Sequence, residues 1–574
     1  MWRVHLPRKS INGSYCFSYF EELGLPILLA CVGSLIDRIR PAPASILSRP
    51  QRVSYRLFAL IAGIVLAHDA LASSSISMPI DQLEGVWFVE SATPQGMLVQ
   101  VATFKKQGDR LLGTWSLLPR WLTGSIDHVR NRNGRVSFRV TFGPGAVALW
   151  KGDFRGGDTL AMTLIGQNGV PIHSRTFRRA SRGALAEAEL KAPKGLITRV
   201  LPLPRIKKLS FNGQALTPPM GWNSWNFFKE SIDDKSVRQI ADALVQTGLR
   251  DAGYTIVTID DGWQGERDTA GIIHPNVKFP DMRSLADYLH SRGLKFGIYS
   301  SPGPLSCGGY LGSHGYEVED AHTFASWGVD FMKYDWCSAG SIYKTQSDMQ
   351  ALYQKMGEAL RDSRRPIIYS ICQYGKFDVG SWGRDVGGNL WRTGGDTIEG
   401  NRWASMSSRF TSDGDPKDNG PGGWNDPDMM LVGINGLSVE EYRTHMTLWS
   451  MLAAPLVIGN DVRSMLPEVK KILLNKEVLQ VDQDTLGRQG TRVAKSGQTE
   501  VWVKPLSGGA LAIALFNRGA WQVNITENWN KLGIVEPQQV RDLWKNRDLG
   551  IHRDGISAIV ASHSAALLRV TKAP

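Results

Sequence analysis

Eight short apolar runs alternate with amphipathic segments between residues 216 and 487, and most of the runs end on polar or aromatic side chains. Such alternation is typical of βαβ units around a parallel sheet. Eight strands in about 270 residues match the size of a (β/α)₈ barrel, whose strands all end at one mouth. The predicted strand regions are 221–225, 256–263, 296–299, 331–337, 367–373, 390–396, 424–429 and 455–461. We therefore predict a catalytic (β/α)₈ (TIM) barrel over residues 216–489.

The regions before and after the predicted TIM barrel have a different pattern of apolar and polar residues. Short alternating runs separated by turn signals fill residues 83–179, which predicts a small antiparallel β-barrel module over 80–182. Its pattern (GVW, then FKKQGDRLLGTW, GRVSFRV and GDTL) resembles the lipocalin-like modules of bacterial secreted enzymes, with either a carbohydrate-binding or a purely structural role. Residues 183–215, rich in Ala, Lys and Pro, are interpreted as a linker. Short strands after 490 predict a C-terminal antiparallel β-sandwich over 490–574.

The net charge of +12 is uneven along the chain. Residues 73–215 carry 20 Lys and Arg against 9 Asp and Glu, whereas residues 216–574 have a net charge of −3. The basic character therefore belongs to the N-terminal part and not to the predicted catalytic barrel. A nucleic-acid partner is not expected, since no basic patch interleaved with aromatic residues is visible.

Residues 1–72 are interpreted as an N-terminal extension plus a secretory signal peptide. Two arginines precede the apolar run 57–67, and Ala70-Leu71-Ala72 follows as a small-x-small cleavage site. The run is too short to span a bilayer, so we expect no spanning segment in the mature chain. We expect a periplasmic or secreted protein cleaved near Ala72, with the true start downstream of Met1. A short anchor at 25–36 is the competing interpretation.

Two strand ends supply the carboxylates that glycoside hydrolysis requires, Asp335 and Asp396. Lys333 lies two residues before Asp335 on the same strand face and should lower its pKa, which suits a nucleophile. Asp396, in a Gly-rich stretch after Arg392, is the candidate general acid and base. Asp426 and Asp428 are the competing candidates for that second role.

Seven motifs carry a family resemblance: TPPMGWNSWNFF, TIDDGWQ, GIYSSPG with a later Cys, FASWGVDFMKYDWC, WRTGGD, GPGGWNDPDMM, and MLAAPLVIGNDVR followed by VDQDTLGRQG. In this order they resemble the α-galactosidase (melibiase) family of retaining glycosidases, glycoside hydrolase family 27. The resemblance covers residues 216–490 and extends loosely through the C-terminal β-domain, but it does not include residues 1–215.

The resemblance implies a nucleophile at Asp335 and an acid/base at Asp396. It implies that Asp260 and Asp261 hold the 4- and 6-hydroxyls of galactose and that Trp225 forms an aromatic wall. It also implies a disulfide between Cys307 and Cys337 beside the site, which would leave Cys372 free. The full implied set of substrate-binding residues is Trp225, Asp260, Asp261, Tyr299, Cys307, Lys333, Gln373, Arg392 and Asp428.

Three positions depart from the family pattern. Gln373 stands where a Glu is frequent, so a 2-hydroxyl would lose a charge-assisted bond. Trp336 follows the nucleophile where Gly or Asn is commoner, and its ring should narrow or re-aim the pocket. Gly262 replaces a frequent Cys after the Asp pair. These departures leave the chemistry in place but bear on which sugar is bound.

We therefore expect a retaining hydrolase that releases terminal α-linked galactose by double displacement. Relatives of the same chemistry cleave α-N-acetylgalactosaminides, β-L-arabinopyranosides or isomaltose units, and a non-catalytic sugar-binding protein is the alternative from a different class. No metal site is expected, because the strand ends carry no His cluster. No cofactor is implied, the expected partner is a carbohydrate substrate, and a homodimer is one conceivable assembly.

Overall fold

A computed structural model describes residues 80–574 except for 94–95, 119–121, 143–145, 156, 166–170, 182, 191–195, 399–400, 412–413 and 435. The predicted signal peptide, the alternative anchor at 25–36, Cys16 and Cys31 lie outside the described residues. The described part of the chain falls within one compact unit, Ser77–Pro574. None of the helices in this part combines the length and the apolar character needed to cross a bilayer.

The N-terminal module is a closed antiparallel barrel in which each strand pairs with the next and β1 pairs with β8. Its strands are β1 Gly85–Thr93, β2 Gly96–Gln107, β3 Arg110–Leu118, β4 Leu122–Arg132, β5 Arg135–Phe142, β6 Ala146–Phe154, β7 Thr159–Ile165 and β8 Pro171–Arg179. The predicted barrel is confirmed. The apolar runs that predicted its strands lie at 85–89, 99–104, 111–115, 136–142, 147–154 and 160–164, so β4 and β8 were not predicted. In β4 a bulge between Asp127 and Arg130 interrupts the alternation of apolar and polar residues.

Aromatic side chains fill the inside of this barrel. Phe138 lies between Phe104 and Trp150, with ring centroids 5.3 and 6.4 Å away, and Trp150 meets Phe177 at 5.8 Å. Trp87, in the same cluster, is completely buried. The interior is therefore a packed core, and the outer surface is what the module offers to partners.

The predicted linker region begins with a short helix, α1 Ala184–Leu190. Its later part is bonded to the catalytic domain. The Lys207 amide donates to Gln354 Oε1 at 2.8 Å, and Gln354 Nε2 donates to the Arg205 carbonyl at 2.9 Å. The Leu209 amide donates to the Asp385 carbonyl at 2.8 Å. Residues 205–209 therefore run along the catalytic domain in a fixed path.

The catalytic domain contains eight parallel strands that curl into a TIM-like barrel, as predicted. They are β9 Met220–Asn223, β10 Ile256–Thr258, β13 Lys295–Ser300, β14 Phe331–Asp335, β15 Ile368–Cys372, β16 Leu390–Arg392, β17 Trp424–Asp426 and β18 Leu456–Ile458. A hairpin, β11 Gln264–Arg267 and β12 Ile273–Pro275, leaves the barrel after β10. Strand β18 pairs with β9, and the Met430 amide donates to the Val457 carbonyl at 2.8 Å, which joins the two ends of the sheet.

Helices cover the outside of these strands. They are α2 Trp225–Phe228, α3 Asp234–Gln246, α4 Met282–Ser291, α5 Glu317–Trp327, α6 Ala339–Ile342, α7 Gln346–Asp362, α8 Arg402–Ser407, α9 Val439–Leu452, α10 Pro467–Leu473 and α11 Lys476–Asp482. The longer ones have defined starts: Thr345 with Asp348, and Ser438 with Glu441, form capping boxes on α7 and α9. The apolar faces of the longer helices are buried against the strands. The strands are parallel, so their polar ends all lie at the same mouth of the barrel.

The C-terminal domain has a six-stranded antiparallel sheet and a two-stranded sheet that share one apolar core. Its strands are β19 Thr491–Ser496, β20 Thr499–Pro505, β21 Leu511–Asn517, β22 Val523–Asn528, β23 Gln538–Asp542, β24 Arg547–His552, β25 Gly555–Val560 and β26 Ser564–Lys572. The predicted antiparallel fold is confirmed. Strands β19, β23 and β24 were not predicted; β19, for example, is almost wholly exposed and has no apolar alternation.

Candidate active site

Fourteen residues surround a cavity of about 430 Å³ at the carboxyl ends of the catalytic strands, partly open to solvent. Ten of the lining residues were predicted: Trp225, Asp260, Asp261, Tyr299, Cys307, Lys333, Asp335, Arg392, Asp396 and Asp428. Four were not predicted: Asn226, Tyr374, Ile398 and Met429. The cavity is thus dominated by carboxylates with a few cations and aromatic rings.

Asp335 is the last residue of β14 and is only 5% exposed. Tyr374 donates to its Oδ1 at 2.6 Å, and Tyr299 donates to its Oδ2 at 3.3 Å. Burial raises the pKa of Asp335, and the nearby Asp396 adds to this, while Lys333 and the Tyr374 bond oppose it. Lys333 does lower this pKa, as predicted, but desolvation outweighs the cation, so the net shift is upward and not downward.

Lys333 itself points to a different carboxylate. Its Nζ lies 2.9 Å from Asp260 Oδ2, which also accepts from Asn223 Nδ2 at 2.7 Å. The Asp261 amide donates to Asp260 Oδ1 at 2.9 Å. Asp260 is therefore a fully bonded, charge-paired carboxylate, held by groups from three different strand ends.

Asp261 is buried beside it and faces the opposite wall. Its Oδ2 accepts from the Gly308 amide at 2.6 Å, and its Oδ1 accepts from the Gly262 amide at 3.0 Å. Burial raises the pKa of Asp261 to about 7, while the Gly308 bond lowers it and the charge of Asp260 raises it further. Gly262 has φ +105°, a conformation that suits glycine, which explains its place after the Asp pair.

Asp396 follows β16 and has a side chain 39% exposed to the cavity mouth. Its Oδ1 accepts from Arg392 Nη2 at 2.9 Å. Burial raises the pKa of Asp396, but Arg392 and then Lys333 outweigh it and hold the pKa below the usual value. The pKa values of the two catalytic candidates are thus shifted in opposite directions, that of Asp335 upward and that of Asp396 downward.

Asp428 is held more rigidly than Asp396. Its Oδ1 lies 3.0 Å from Arg392 Nη1 and accepts from the Met429 amide at 2.7 Å. Its Oδ2 accepts from the Thr397 amide at 2.6 Å and from its hydroxyl at 2.9 Å. Asp426 accepts from the Asp428 amide and does not line the cavity.

Gln373 and Trp336 lie behind the cavity wall. Gln373 is fully buried; its Oε1 accepts from the Lys376 amide at 2.6 Å and its Nε2 donates to the Arg392 carbonyl at 3.3 Å. Trp336 stacks on Tyr353 with ring centroids 5.8 Å apart. The predicted narrowing of the pocket by Trp336 is therefore not seen, since its ring packs into the core.

Cys307 and Cys337 lie in disulfide contact with Cα atoms 5.0 Å apart, within the range for such a bond. Cys307 lines the cavity, and Cys337 follows the nucleophile candidate by two residues. Cys372 is free and buried, and its Sγ accepts from Arg392 Nη1 at 3.6 Å. Burial raises the pKa of Cys372, so its thiol stays neutral.

Tyr374 is the main residue that sequence reasoning missed. It lies just after β15, directly beyond Gln373, and its backbone has φ +63°. That left-handed turn carries its hydroxyl back over the barrel mouth to Asp335. The available signal was a polar aromatic residue at the end of a predicted strand, a position that Tyr299 also occupies.

Paired carboxylates that face one cavity at the mouth of a (β/α)₈ barrel are the arrangement that glycoside hydrolases use. A family model described as "Alpha galactosidase A" matches residues 217–484, and one described as "Alpha galactosidase C-terminal beta sandwich domain" matches 496–570. The chain belongs to the α-galactosidase (melibiase) family. It is a glycosidase that hydrolyses α-galactosides.

Individual relatives agree with this assignment. The chain is 43% identical over 377 residues to Alpha-galactosidase 2 of Arabidopsis thaliana, covering 64% of this chain and 92% of the relative. The structure of α-galactosidase I from Mortierella vinacea is 33% identical with a TM-score of 0.61, and the match covers 63% of this chain and 99% of that one. A Bacteroides fragilis structure, 31% identical with a TM-score of 0.60, covers 86% of this chain and 99% of its own.

Proposed function

We propose that the enzyme releases terminal α-linked galactose by a retaining double displacement, with Asp335 as nucleophile and Asp396 as general acid and base. The observation that carries the proposal is that both carboxylates face the same cavity from the ends of β14 and β16. A retaining enzyme needs such a pair close together, whereas an inverting enzyme needs extra room for a water molecule.

In the first step Asp396 donates a proton to the glycosidic oxygen while Asp335 attacks C1 of the sugar. The C1–O bond breaks, the aglycone leaves as an alcohol, and galactose becomes bonded to Asp335. Oδ1 of Asp335 is tied closely to Tyr374, so Oδ2, with the longer bond from Tyr299, is the better attacking atom. In the second step Asp396 takes a proton from water, which attacks C1 and releases galactose with its original configuration.

The protonation states of Asp396 and Asp335 depend on whether substrate is bound. In the free enzyme Arg392 and Lys333 lower the pKa of Asp396 and hold it ionised. A bound glycone covers the exposed side of Asp396 and displaces its water, which disfavours the charged form and raises its pKa. Asp335, already buried, changes less. Substrate binding thus prepares Asp396 to act as the acid.

Asp396 is preferred over Asp428 because of its freedom to exchange protons. Both oxygens of Asp428 are saturated by Arg392, Met429 and Thr397, an arrangement that suits a fixed sugar ligand or brace. Asp396 has one bond to Arg392 and an exposed side. A general acid must release and regain a proton at each turnover, and only Asp396 has that opening.

The remaining lining residues form the galactose-binding site in this proposal. Asp260 and Asp261 accept the 4- and 6-hydroxyls, Lys333 and Tyr299 contact other hydroxyls, and Trp225 supplies the aromatic wall. Gln373 does not reach the cavity, so the predicted contact with a 2-hydroxyl is replaced by a structural role: its side-chain amide fixes the backbone that carries Tyr374. Cys307 closes the cavity on the side of the disulfide.

Export is the second part of the proposal. The apolar run before Ala70-Leu71-Ala72 is a signal peptide, and the mature enzyme works in the periplasm or outside the cell. The Cys307–Cys337 pair supports an oxidising compartment, where such a bridge persists.

Product stereochemistry and substrate choice test the proposal. Proton NMR in the first minutes of hydrolysis of nitrophenyl α-galactoside should show α-galactose before mutarotation. First appearance of the β-anomer would exclude double displacement. A panel of nitrophenyl α-galactoside, α-N-acetylgalactosaminide, β-L-arabinopyranoside and α-glucoside should give the highest kcat/KM with the galactoside, and a preference for another member would reassign the glycone.

A further inference from the structure

A second concave surface lies on the outside of the N-terminal barrel, away from the packed interior. It lies over strands β4 to β8 and encloses about 1080 Å³ that is open to solvent. Most of its lining residues are exposed or half-buried, and Val136 belongs to the barrel core beneath them. We call it the basic groove. Its lining is Arg130, Arg132, Arg135, Val136, Ser137, Lys151, Gly152, Asp153, Thr163, Ile165 and Pro171.

The basic groove concentrates unpaired positive charge. Arg130, Arg132, Arg135 and Lys151 are all exposed, and none forms an ion pair with any residue in the described part of the chain. By contrast, Arg139 on the same sheet is tied to Asp127 at 2.7 Å. Asp153 is the one carboxylate among the lining residues. Four free cations side by side repel each other unless an anion binds them.

The groove is unsuited to a neutral sugar, which proteins hold by stacking on aromatic rings. No aromatic residue is among its lining residues. Trp87, Phe138 and Trp150 of the same barrel are buried in the core. Binding in the groove therefore has to be electrostatic, with Thr163 and Ser137 available for hydrogen bonds.

The barrel that carries the groove also packs against the mouth of the active site. Leu305, two residues before the cavity residue Cys307, is buried in the barrel's apolar core cluster. Helix α6, which follows the nucleophile strand, contacts β4, the strand that carries Arg130 and Arg132. Ser338 bonds the two catalytic segments, accepting from the Leu305 amide at 3.0 Å.

The catalytic cavity and the basic groove differ in charge, so each suits a different part of one substrate. The catalytic cavity is lined by five carboxylates and two cations, Lys333 and Arg392, so it favours a neutral sugar over an anionic one. An anionic polymer can place its neutral galactosyl end there and its charged backbone on the barrel.

We propose that the basic groove binds an anionic polysaccharide, bearing sulfate or carboxylate groups, whose α-galactosyl ends the catalytic site removes. The proposal rests on the proposed function for its substrate but on separate residues for its binding. The barrel then acts as a substrate-holding module that raises the local concentration of chain ends at the mouth.

Fluorescence anisotropy with labelled dextran sulfate, and with labelled dextran of the same length as the neutral control, tests this on the full-length enzyme. The wild type should bind dextran sulfate and not dextran at about 0.15 M salt, where charges interact over only about 8 Å. The double variant R132E/K151E should bind at least about tenfold more weakly, because charge reversal replaces attraction by repulsion. A matched control, K105E/R110E, changes two exposed cations on β2 and β3, outside the groove, by the same charge.

The outcomes separate the alternatives. Equal losses in both double variants would show a response to net charge alone and overturn the groove, and so would unchanged binding in R132E/K151E. Binding of duplex DNA or of anionic vesicles as strongly as dextran sulfate would overturn the polysaccharide assignment. Hydrolysis of nitrophenyl α-galactoside should be the same in all three proteins. If the wild type does not hydrolyse nitrophenyl α-galactoside, the proposed function is wrong. The anisotropy result tests the groove independently of that outcome.

Discussion

Tyr374 donates a hydrogen bond of 2.6 Å to Oδ1 of Asp335, linking the loop after β15 to the carboxylate at the end of β14. The bond depends on a left-handed backbone at Tyr374, with φ +63°, followed by Gly375 at φ +76°. A strained conformation that persists at a reactive carboxylate indicates a functional constraint. Tyr374 is therefore assigned as a positioning residue, which fixes the proposed nucleophile and partly offsets the effect of burial on its pKa.

Tyr374→Phe should lower kcat/KM for nitrophenyl α-galactoside by about 10- to 100-fold, since a hydrogen bond to a charged group contributes about 1.5–3 kcal/mol. Without the hydroxyl the pKa of Asp335 rises further, because the bond lowers it in the wild type. The limb of the kcat/KM profile that Asp335 sets should therefore move to higher pH. Steady-state kinetics across pH measure both effects.

Tyr288→Phe is the matched control for that variant. The Tyr288 hydroxyl also donates to a carboxylate, at 2.9 and 2.8 Å from the two oxygens of Asp242, but it lies on the outer helices. It should leave the pH profile unchanged. If the limb that Asp335 sets stays in place in Tyr374→Phe, with only a general loss of activity, Tyr374 has a structural role alone.

Asp396→Ala and Asp428→Ala should fail in different ways. Asp396→Ala should keep residual activity on a nitrophenyl substrate, whose leaving group needs no proton, and azide should rescue its second step by attacking the glycosyl-enzyme. Asp428→Ala should show no rescue, because it removes a brace of Arg392 and Thr397. Formation of galactosyl azide is the measurement.

Asp335→Ala provides the control, since no glycosyl-enzyme can form and azide should not restore turnover by the same route. If Asp428→Ala gives galactosyl azide and Asp396→Ala does not, the acid/base assignment belongs to Asp428.

The pH profiles of kcat and kcat/KM should differ on the basic side. The kcat/KM profile reports the free enzyme, where Arg392 and Lys333 outweigh burial and hold the pKa of Asp396 low. The kcat profile reports the complex, where the glycone removes water from Asp396 and raises that pKa. Loss of the acid form on raising pH should therefore occur at higher pH in kcat. If the basic limbs of the two profiles coincide, substrate binding does not raise the pKa of Asp396.

The catalytic strands could be predicted because each is a short buried run ending on polar residues, and parallel topology sends all those ends to one mouth. Contacts between the side chains could not be predicted in the same way. Lys333 shares a strand face with Asp335, yet its long side chain reaches past β13 to Asp260. The direction of Trp336 depends on a gap beside Tyr353 that only the packed fold creates. Strand β4 was missed because its outward residues are the cations of the basic groove and a bulge breaks its period.

Processing at the N-terminus is predicted to leave a mature chain that begins near Ser73. The apolar run 57–67 followed by Ala70-Leu71-Ala72 has the length and the small residues of a cleaved signal. N-terminal sequencing of enzyme isolated from its native host is the measurement. A secreted chain that still begins near Met1 would show that residues 1–72 are not a signal region.

The Cys307–Cys337 pair should support both the fold of the mouth and the binding of substrate. Its sequence separation of 30 residues predicts a loss of about 2–4 kcal/mol of unfolding free energy in the double variant C307S/C337S. The same variant should raise KM more than it lowers kcat, because Cys307 lines the cavity while Asp335 keeps its bond from Tyr374. Thermal unfolding and kinetics measure these effects.

Mass spectrometry of unreduced peptides should show Cys307 linked to Cys337, with Cys372 alkylated only after unfolding because it is buried. Peptides in which Cys307 and Cys337 are alkylated separately, from enzyme never exposed to reductant, would rule out the bridge and with it the predicted loss of stability.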